Sequence, residues 1–217
     1  MSQLEQAFTH IYNSKGWGFN ETVSGDGSML GYTENLRSKL PDLFKKFNVQ
    51  TLLDAPCGDL NWMKLVLDAC PEINYIGGDI VKPLIESNRR QFLGHSMSFM
   101  ELDITQDSLP DADLMICRDC LFHLPVADVW RFVENFVRSQ IPYLLTTSHT
   151  GDNIVNKNLT PGNFDLLNLM LAPYYFPKDT LYAIDDWIKP YPERRMYVWS
   201  REQLQSVLDK RNEISRN

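Results

Sequence analysis

Three aspartates stand where three successive apolar stretches of the chain end. Asp54 closes "VQTLLD", Asp79 closes "INYIGGD" and Asp103 closes "MSFMELD". A carboxylate repels phosphate groups, but it accepts hydrogen bonds from hydroxyl and amino groups and attracts cations. If the three stretches are neighbouring strands, their acids line one cleft. The pattern therefore predicts a site for a polar ligand that carries positive charge.

The stretch "CRDCLFHL" contains residues suited to proton transfer. Arg118, Asp119 and His123 follow a fourth apolar stretch. An unperturbed histidine has a pKa near neutrality, so His123 is a candidate general base, which Asp119 would orient unless Asp119 itself is the base. Arg118 is a candidate for binding an anionic ligand group, and the alternative is a structural ion pair with Asp119. For His123 the alternative is packing or capping. His149, after a fifth apolar stretch, is a second candidate base.

Apolar stretches of strand length alternate with amphipathic stretches of helix length along the chain. The predicted strands are 49–54, 73–79, 97–103, 112–119, 141–148, 181–188 and 194–200, and the predicted helices are 60–69, 81–92, 125–139 and 201–210. This alternation predicts an α/β fold with mostly parallel strands and helices on both faces of the sheet. Right-handed crossovers place the carboxyl ends of parallel strands on one edge, where ligands bind.

The loop after the first strand, "DAPCGDL", differs from a phosphate-binding loop. It has a single glycine, Gly58, which lets a ligand approach the backbone, and Pro56, which stiffens the turn and has no N–H. A nicotinamide-dependent oxidoreductase would need a glycine-rich pyrophosphate loop at this place. Such an oxidoreductase is therefore the less favoured enzyme.

Residues 1–32 are polar, and the stretch 16–31 contains five glycines and no clear periodicity. We predict that they form an arm or lid outside the core. The aromatic residues of this arm are Phe8, Tyr12, Trp17, Phe19 and Tyr32.

Residues 33–217 are predicted to form a single domain. Its first helix, 33–47, would be kinked or split by Pro41. The loop-like stretch at about 150–180 is a candidate substrate loop, because connections of this length are usually functional.

Composition narrows the classes of function. The 217 residues carry 21 Lys and Arg against 28 Asp and Glu, a net charge of −7, so the chain lacks the basic surface that nucleic acid requires. No apolar stretch is long enough to cross a bilayer, and no signal peptide is evident. Four cysteines in a chain of alternating strands and helices, rather than in a loop-rich scaffold, favour reduced thiols and a cytoplasmic location. Cys117-x-x-Cys120 resembles a metal motif, but no second Cys/His pair accompanies it, so we predict no metal site.

The segments "LLDAPCGD", "YIGGDI", "LDIT" and "LMICRDCLFHL" resemble, in order and spacing, the motifs of class I S-adenosylmethionine-dependent methyltransferases. More narrowly, "VSGDGS", "DAPCGDLNWM" and "CRDCLFHLP" resemble a small group of bacterial methyltransferases. The resemblance covers roughly residues 12–200. It implies a Rossmann-like, mostly parallel seven-stranded sheet whose last strand is antiparallel. Ala55, Pro56 and Leu60 depart from the family, which has glycine or small residues there.

The resemblance also implies roles for individual residues. Asp79 would accept the ribose hydroxyls, Asp103 would accept the adenine amino group, and Trp17 or Tyr12 would cover the cofactor. The residues expected to bind the cofactor are Asp54, Ala55, Pro56, Gly58, Asp79, Ile80, Asp103, Ile104, Arg118 and Trp17.

The expected activity is methyl transfer from S-adenosylmethionine to oxygen or nitrogen of a small polar acceptor, such as a sugar or a biosynthetic intermediate. The stretch "RDCLFHLP" is not the Asn/Asp-Pro-Pro-aromatic block of DNA amino-methylases. A cofactor-binding module without catalysis is the alternative from another class. The sequence leaves the acceptor and the oligomeric state open.

Overall fold

The computed structural model describes residues 1–18, 21–94 and 96–214. Phe19 of the predicted arm and His95 lie outside the described residues. The helices are α1 (Gln3–Ser14), α2 (Glu34–Lys46), α3 (Met63–Ala69), α4 (Lys82–Gln91), α5 (Val126–Arg138) and α6 (Arg201–Ile214). The strands are β1 (Thr51–Asp54), β2 (Asn74–Asp79), β3 (Met97–Glu101), β4 (Leu114–Cys117), β5 (Tyr143–His149), β6 (Tyr182–Asp185) and β7 (Arg194–Ser200).

The seven strands form one sheet in the order β3-β2-β1-β4-β5-β7-β6. Strands β1 to β5 are parallel to one another, whereas β7 is antiparallel to both β5 and β6. The predicted mostly parallel sheet with an antiparallel last strand is confirmed. Because β7 runs the opposite way, its first residue lies at the edge where the parallel strands end.

Helices cover both faces of the sheet, as predicted. Successive residues of a strand point to opposite faces, and Leu52 and Leu53 accordingly belong to different apolar clusters. One cluster includes α5, whose Val129, Phe132 and Phe136 recur at helical spacing and are fully buried. The other cluster includes residues of α2, α3 and α4. The sheet therefore lies between two layers of helices.

Two segments differ from the sequence prediction. Pro41 lies inside α2, which is not split there. In the predicted arm, residues Gln3–Ser14 form a helix, and its residue Leu4 is only 5% exposed and belongs to the core. The side chain of Ser2 accepts a hydrogen bond from the backbone of Glu5 and the Glu5 side chain accepts one from Ser2, a capping box whose S-x-x-E pattern is visible in the sequence.

Candidate active site

A cleft runs along the edge of the sheet where β1 to β4 end. Its other wall is formed by α1 and by residues between 17 and 28, and it encloses about 1090 Å³, counting the part open to solvent. The predicted site residues that line it are Trp17, Asp54, Pro56, Gly58, Asp79, Ile80, Asp103, Ile104, Arg118, Asp119 and His123. Ala55 and His149 are the two predicted site residues that do not line it.

Asp79 ends β2 with a buried carboxylate that retains acceptor capacity. Its Oδ2 atom accepts a hydrogen bond from the N–H of Gly58 at 3.2 Å, and its Oδ1 atom accepts one from the N–H of Val81 at 2.9 Å. Each carboxylate oxygen can accept a second bond, so a pair of ligand hydroxyls can be accommodated. Burial raises the pKa of Asp79 to about 6, although these N–H donors oppose the rise.

Asp54 ends β1 and is 2% exposed. The hydroxyl of Tyr75 donates a hydrogen bond to its Oδ2 atom at 2.8 Å. Burial raises the pKa of Asp54 to about 7, although Tyr75 and the charge of Arg118 oppose this. A carboxylate in this environment is stabilised in its ionised form by a cationic ligand group nearby.

Asp103 lies two residues beyond the end of β3, and its carboxylate is already well supplied with donors. Its Oδ1 atom accepts hydrogen bonds from the N–H and hydroxyl of Thr105 at 3.0 and 2.6 Å. Its Oδ2 atom accepts from Gln106 at 2.9 Å and from the hydroxyl of Ser2 at 3.3 Å. A ligand amino group at Oδ2 would therefore replace the longest of these bonds, the one from Ser2.

Glycine is required at position 58 by the backbone conformation there and by the close approach of the arm. Gly58 has a φ of 57°, in the left-handed region, and a Cβ there would lie 2.3 Å from the hydroxyl oxygen of Ser24. From the sequence, the missing side chain is expected to make room for a ligand. In the structure, Ser24 of the arm occupies the space beside it.

Asp59 and Asn61 fasten the arm to the loop after β1, and neither was predicted as a site residue. Asp59 accepts hydrogen bonds from the hydroxyl of Thr22 at 2.8 Å and from the N–H of Val23 at 2.9 Å. Asn61 donates to the carbonyl oxygen of Ser28 at 3.0 Å. The signal available in the sequence was two polar side chains following Gly58, but nothing local indicates that their partners lie more than thirty residues away.

Four charged side chains form a buried network beneath the arm: Arg118, Asp119, Asp186 and Arg194. Arg118 donates to both carboxylate oxygens of Asp186, at 2.9 and 3.1 Å, and to the carbonyl oxygen of Gly27 at 2.7 Å. Its Nη1 atom is 3.3 Å from Asp119, and Arg194 lies 2.6 Å from the same carboxylate oxygen. Arg118 is therefore engaged by protein groups. Asp186 and Arg194 were not predicted.

Tyr32 covers this network. Its ring centroid lies 4.7 Å from the guanidinium carbon of Arg194 and 5.9 Å from that of Arg118. Burial raises the pKa of Tyr32 to about 12. Among the described residues, its hydroxyl is the one buried side-chain polar atom without a hydrogen-bond partner. The ring thus shields two paired arginines from solvent on the side of the arm.

His123 ends a short 3-10 turn and is half-buried at the opening between the arm and the loop at 150–180. Its ring stacks on Trp17, with the ring centroids 5.1 Å apart. Its Nδ1 atom is 3.0 Å from the carbonyl oxygen of Asn163. Burial lowers the pKa of His123, which keeps the imidazole neutral and able to accept a proton near pH 7.

Asp119 faces the arginines rather than orienting His123 by a hydrogen bond. Its hydrogen-bond partners are Arg194 and Thr147, while Nδ1 of His123 is directed to Asn163. Burial raises the pKa of Asp119, but Arg118 and Arg194 outweigh it and hold the pKa below its ordinary value. Asp119 is consequently a weaker base than an ordinary carboxylate.

The structure places Ala55 and His149 behind the cleft. Ala55 is fully buried, and its N–H donates to the carbonyl oxygen of Ile116 at 2.9 Å. His149 is 2% exposed and packs against Phe122, with ring centroids 5.3 Å apart. Burial and then the charge of Arg194 lower the pKa of His149 to about 4.

Within residues 1–18, 21–94 and 96–214, no group of three or more His, Cys, Asp or Glu side chains is placed to hold a metal ion. None of the helices in these ranges combines the length and apolarity needed to cross a bilayer.

Residues 52–142 match a family model described as a methyltransferase domain. No curated protein matches the chain by sequence. Among solved structures, the chain is similar to an S-adenosylmethionine-dependent methyltransferase from Leishmania major, with a TM-score of 0.68 and 16% identity over 91% of this chain and 86% of that one.

Two further similar structures belong to enzymes with named substrates. One is magnesium protoporphyrin IX methyltransferase from Synechocystis PCC 6803 with bound S-adenosylhomocysteine, with a TM-score of 0.65 and 12% identity over 91% of this chain and 99% of that one. The other is human N-acetylserotonin methyltransferase, with a TM-score of 0.59 and 17% identity over 91% of this chain and 59% of that one.

Likeness at 12% to 17% identity establishes a shared fold. The segment matched by the family model contains Asp54, Asp79, Asp103 and the stretch from Arg118 to His123. The chain therefore has the fold of S-adenosylmethionine-dependent methyltransferases, and its residues 52–142 are similar to a methyltransferase domain.

Proposed function

We propose that this chain transfers a methyl group from S-adenosylmethionine to an oxygen or nitrogen of a small polar acceptor. One observation carries the proposal: Asp79 at the end of β2 and Asp103 just beyond the end of the neighbouring β3 line a single cleft, and both lie in the segment that matches a methyltransferase domain. The likeness of the fold to structures holding this cofactor or its product supports it.

The donor and acceptor groups of the cleft fit this cofactor. Asp79 has acceptor capacity for two ribose hydroxyls, and Ile80 and Ile104 provide apolar surface for the adenine ring. Asp103 would accept the adenine amino group in exchange for its bond from Ser2. Asp54 would face the cationic methionine portion, where a positive charge offsets the cost of keeping this buried carboxylate ionised.

The cofactor, when bound, supplies a methyl group on a positively charged sulfur. The protein then has to align the acceptor with that methyl group and to remove the acceptor's proton. His123 takes the proton, because it lines the cleft and its lowered pKa keeps it neutral. Trp17, stacked on His123, excludes water from the reacting groups.

The acceptor is neutral or cationic rather than anionic. Arg118, the one basic side chain other than histidine that lines the cleft in the described part of the chain, is already paired with Asp186 and Asp119. We therefore assign Arg118 to holding the buried network and the arm, not to binding an anionic substrate. The negative net charge of the chain argues against a nucleic acid acceptor.

The four cysteines are free thiols, which supports a reducing, cytoplasmic location.

Calorimetry with S-adenosylhomocysteine tests the proposal. The wild type and Asp113→Asn should bind it, whereas Asp79→Asn should bind it about 10- to 100-fold more weakly, because each hydrogen bond to a charged group contributes about 1.5–3 kcal/mol. Asp113 is the matched control, since its carboxylate accepts hydrogen bonds from the N–H groups of Gln50 and Thr51, away from the cleft. Absence of binding by the wild type would contradict the proposal.

A further inference from the structure

Two histidines on either side of Phe122 are joined by one stretch of loop. The ring centroid of Phe122 lies 4.6 Å from that of His123 and 5.3 Å from that of His149. Residues 162–169, here called the histidine bracket, contact His123 at one end and His149 at the other. His123 lines the cleft and His149 does not, so the bracket connects the cleft to a buried anchor.

The first end of the bracket determines which nitrogen of His123 carries hydrogen. The N–H of Gly162 donates to the carbonyl oxygen of His123 at 2.9 Å, and the carbonyl oxygen of Asn163 lies 3.0 Å from Nδ1 of the ring. A carbonyl oxygen only accepts hydrogen bonds, so Nδ1 must be the donor. In the neutral ring, Nε2 then holds the lone pair that can accept a proton.

The second end of the bracket imposes the opposite arrangement on His149. The N–H of His149 donates to the carbonyl oxygen of Leu167 at 2.7 Å, and the N–H of Leu167 donates to Nδ1 of the His149 ring at 3.2 Å. The N–H of Leu169 donates to the hydroxyl oxygen of Ser148 at 3.0 Å. Because Nδ1 of His149 accepts, its hydrogen must be on Nε2.

The surroundings of His149 keep this arrangement in place. Leu167 and Leu169 are buried in the apolar cluster that includes α5, which fixes the bracket where it meets β5. The charged groups that act on the His149 ring are Arg194, Asp119 and Asp165, and burial with Arg194 disfavours the protonated ring. A neutral His149 retains Nδ1 as an acceptor for the N–H of Leu167.

We propose that His149 is a positioning residue, which acts through the bracket to hold the carbonyl group of Asn163 against His123 and so leaves Nε2 of His123 as the basic nitrogen. The role of that nitrogen in catalysis rests on the proposed function. The two hydrogen positions do not, and they can be measured without cofactor or acceptor. His149 thereby changes from a candidate base to a support for the base.

Nitrogen NMR of the protein labelled with ¹⁵N-histidine tests the hydrogen positions directly. Long-range ¹H–¹⁵N correlations distinguish the two neutral tautomers, and His123→Gln and His149→Gln identify the two signals by their loss. We expect hydrogen on Nδ1 for His123 and on Nε2 for His149 at pH 8. Hydrogen mainly on Nε2 of His123, or on Nδ1 of His149, would overturn the proposal.

Two substitutions of His149 test the transmission through the bracket. His149→Asn keeps an acceptor near the position of Nδ1, whereas His149→Leu removes it at similar volume. In His149→Leu the ratio of the Nδ1–H to the Nε2–H form of His123 should fall about tenfold, as the loss of one hydrogen bond implies. His149→Asn should preserve the ratio. An unchanged ratio in a folded His149→Leu protein would contradict the positioning role.

If His149→Leu does not fold, the wild-type protein still tests the proposal. Hydrogen mainly on Nε2 of His123, or on Nδ1 of His149, would overturn it without any variant. Failure of the proposed function is recognised separately. A protein that does not bind S-adenosylhomocysteine, yet shows the expected tautomers, refutes the methyltransferase activity and not the arrangement of the bracket. A protein that binds S-adenosylhomocysteine but shows the reverse tautomers refutes only the positioning role.

Discussion

The Nη2 atom of Arg194 donates a hydrogen bond to Oδ2 of Asp119 over 2.6 Å, across a sequence separation of 75 residues. The two meet because β7 is antiparallel to β5, in a register that pairs Arg194 with His149. The first residue of β7 thus reaches the edge where β4 ends. Both side chains are largely buried, so their pairing should contribute to stability as well as to the shape of the site.

Replacing Arg194 should therefore destabilise the fold. Arg194→Met leaves Asp119 and Asp186 with one arginine between them, and breaking a buried pair costs about 3–5 kcal/mol. Arg195→Met is the matched control, since its partner Asp185 is exposed and such surface pairs contribute about 0–1 kcal/mol. Urea denaturation of both variants gives the comparison. Equal losses of unfolding free energy would show that the buried network is not stabilising.

Cofactor affinity should weaken as the pH falls. Asp79 must be ionised to accept two hydroxyl donors well, and burial raises its pKa to about 6. Below that pH, the dissociation constant for S-adenosylhomocysteine should rise by up to about tenfold per pH unit. Asp54, with its pKa raised to about 7, acts in the same direction. Calorimetry between pH 5 and pH 8 measures the slope.

Asp79→Asn separates the contributions of these two acids. The amide does not titrate, so the pH dependence of affinity should become shallower in this variant. An identical pH profile in wild type and variant would remove Asp79 from the binding equilibrium.

The position of the arm should be sensitive to the addition of one methyl group at Gly27. A Cβ at Gly27 would lie 2.6 Å from Oδ2 of Asp119 and 2.9 Å from Nη2 of Arg194, whereas a Cβ at Gly31 would meet nothing within 4 Å. Gly27→Ala should therefore displace the arm, increase its cleavage by protease and weaken S-adenosylhomocysteine binding about tenfold or more. Gly31→Ala should behave as the wild type. Similar protease resistance in the two variants would argue that the arm is not held by the network.

The free energy of unfolding of the ligand-free protein should depend on pH through the carboxyl group of Asp54. Its pKa is raised from 3.8 to about 7 on folding, so the folded state binds the proton more tightly than the unfolded state. The contribution of this bound proton to the stability of the folded state is therefore fully present below about pH 4 and is lost as the pH rises through 7. Asp54→Asn cannot titrate, and Tyr75 can still donate to its amide oxygen.

Between pH 5 and pH 8, the stability of Asp54→Asn relative to wild type should therefore increase by roughly 2–3 kcal/mol. Thermal or urea denaturation at the two pH values measures this change. A difference that does not vary with pH would mean that the carboxyl group of Asp54 titrates normally in the folded protein.

The sheet and its acid-tipped strands could be predicted because their signals are local. Asp54 and Asp79 follow short apolar stretches, and strand–helix alternation fixes where such strands end relative to one another. The pairing of Arg194 with Asp119 could not be predicted, because it depends on the register of an antiparallel strand far along the chain. The contacts of Asp59 could not be predicted either, since its partners Thr22 and Val23 lie in the part of the arm that has no periodicity.

One feature outside the sequence prediction, the helix α1, does have a local signal. The S-x-x-E pattern at Ser2 and Glu5 indicates the start of α1, which glycine content further along the arm obscured. The exclusion of Ala55 and His149 from the cleft needed the packing itself, because a residue at the edge of a sheet can point inward or outward with no change in its sequence neighbours.

The reversed direction of β7 brings a residue from late in the chain to the edge of the sheet that carries the cleft. Residues 52–142 bring the acids proposed to hold the nucleoside, whereas Arg194 and the bracket, which stand behind Asp119 and His123, come from later in the chain. Under the proposed function, substitutions after residue 142 should alter the acceptor side of the cleft and leave the acids proposed to hold the nucleoside unchanged. We therefore expect a change of recipient to require altered residues outside the segment that matches the methyltransferase domain.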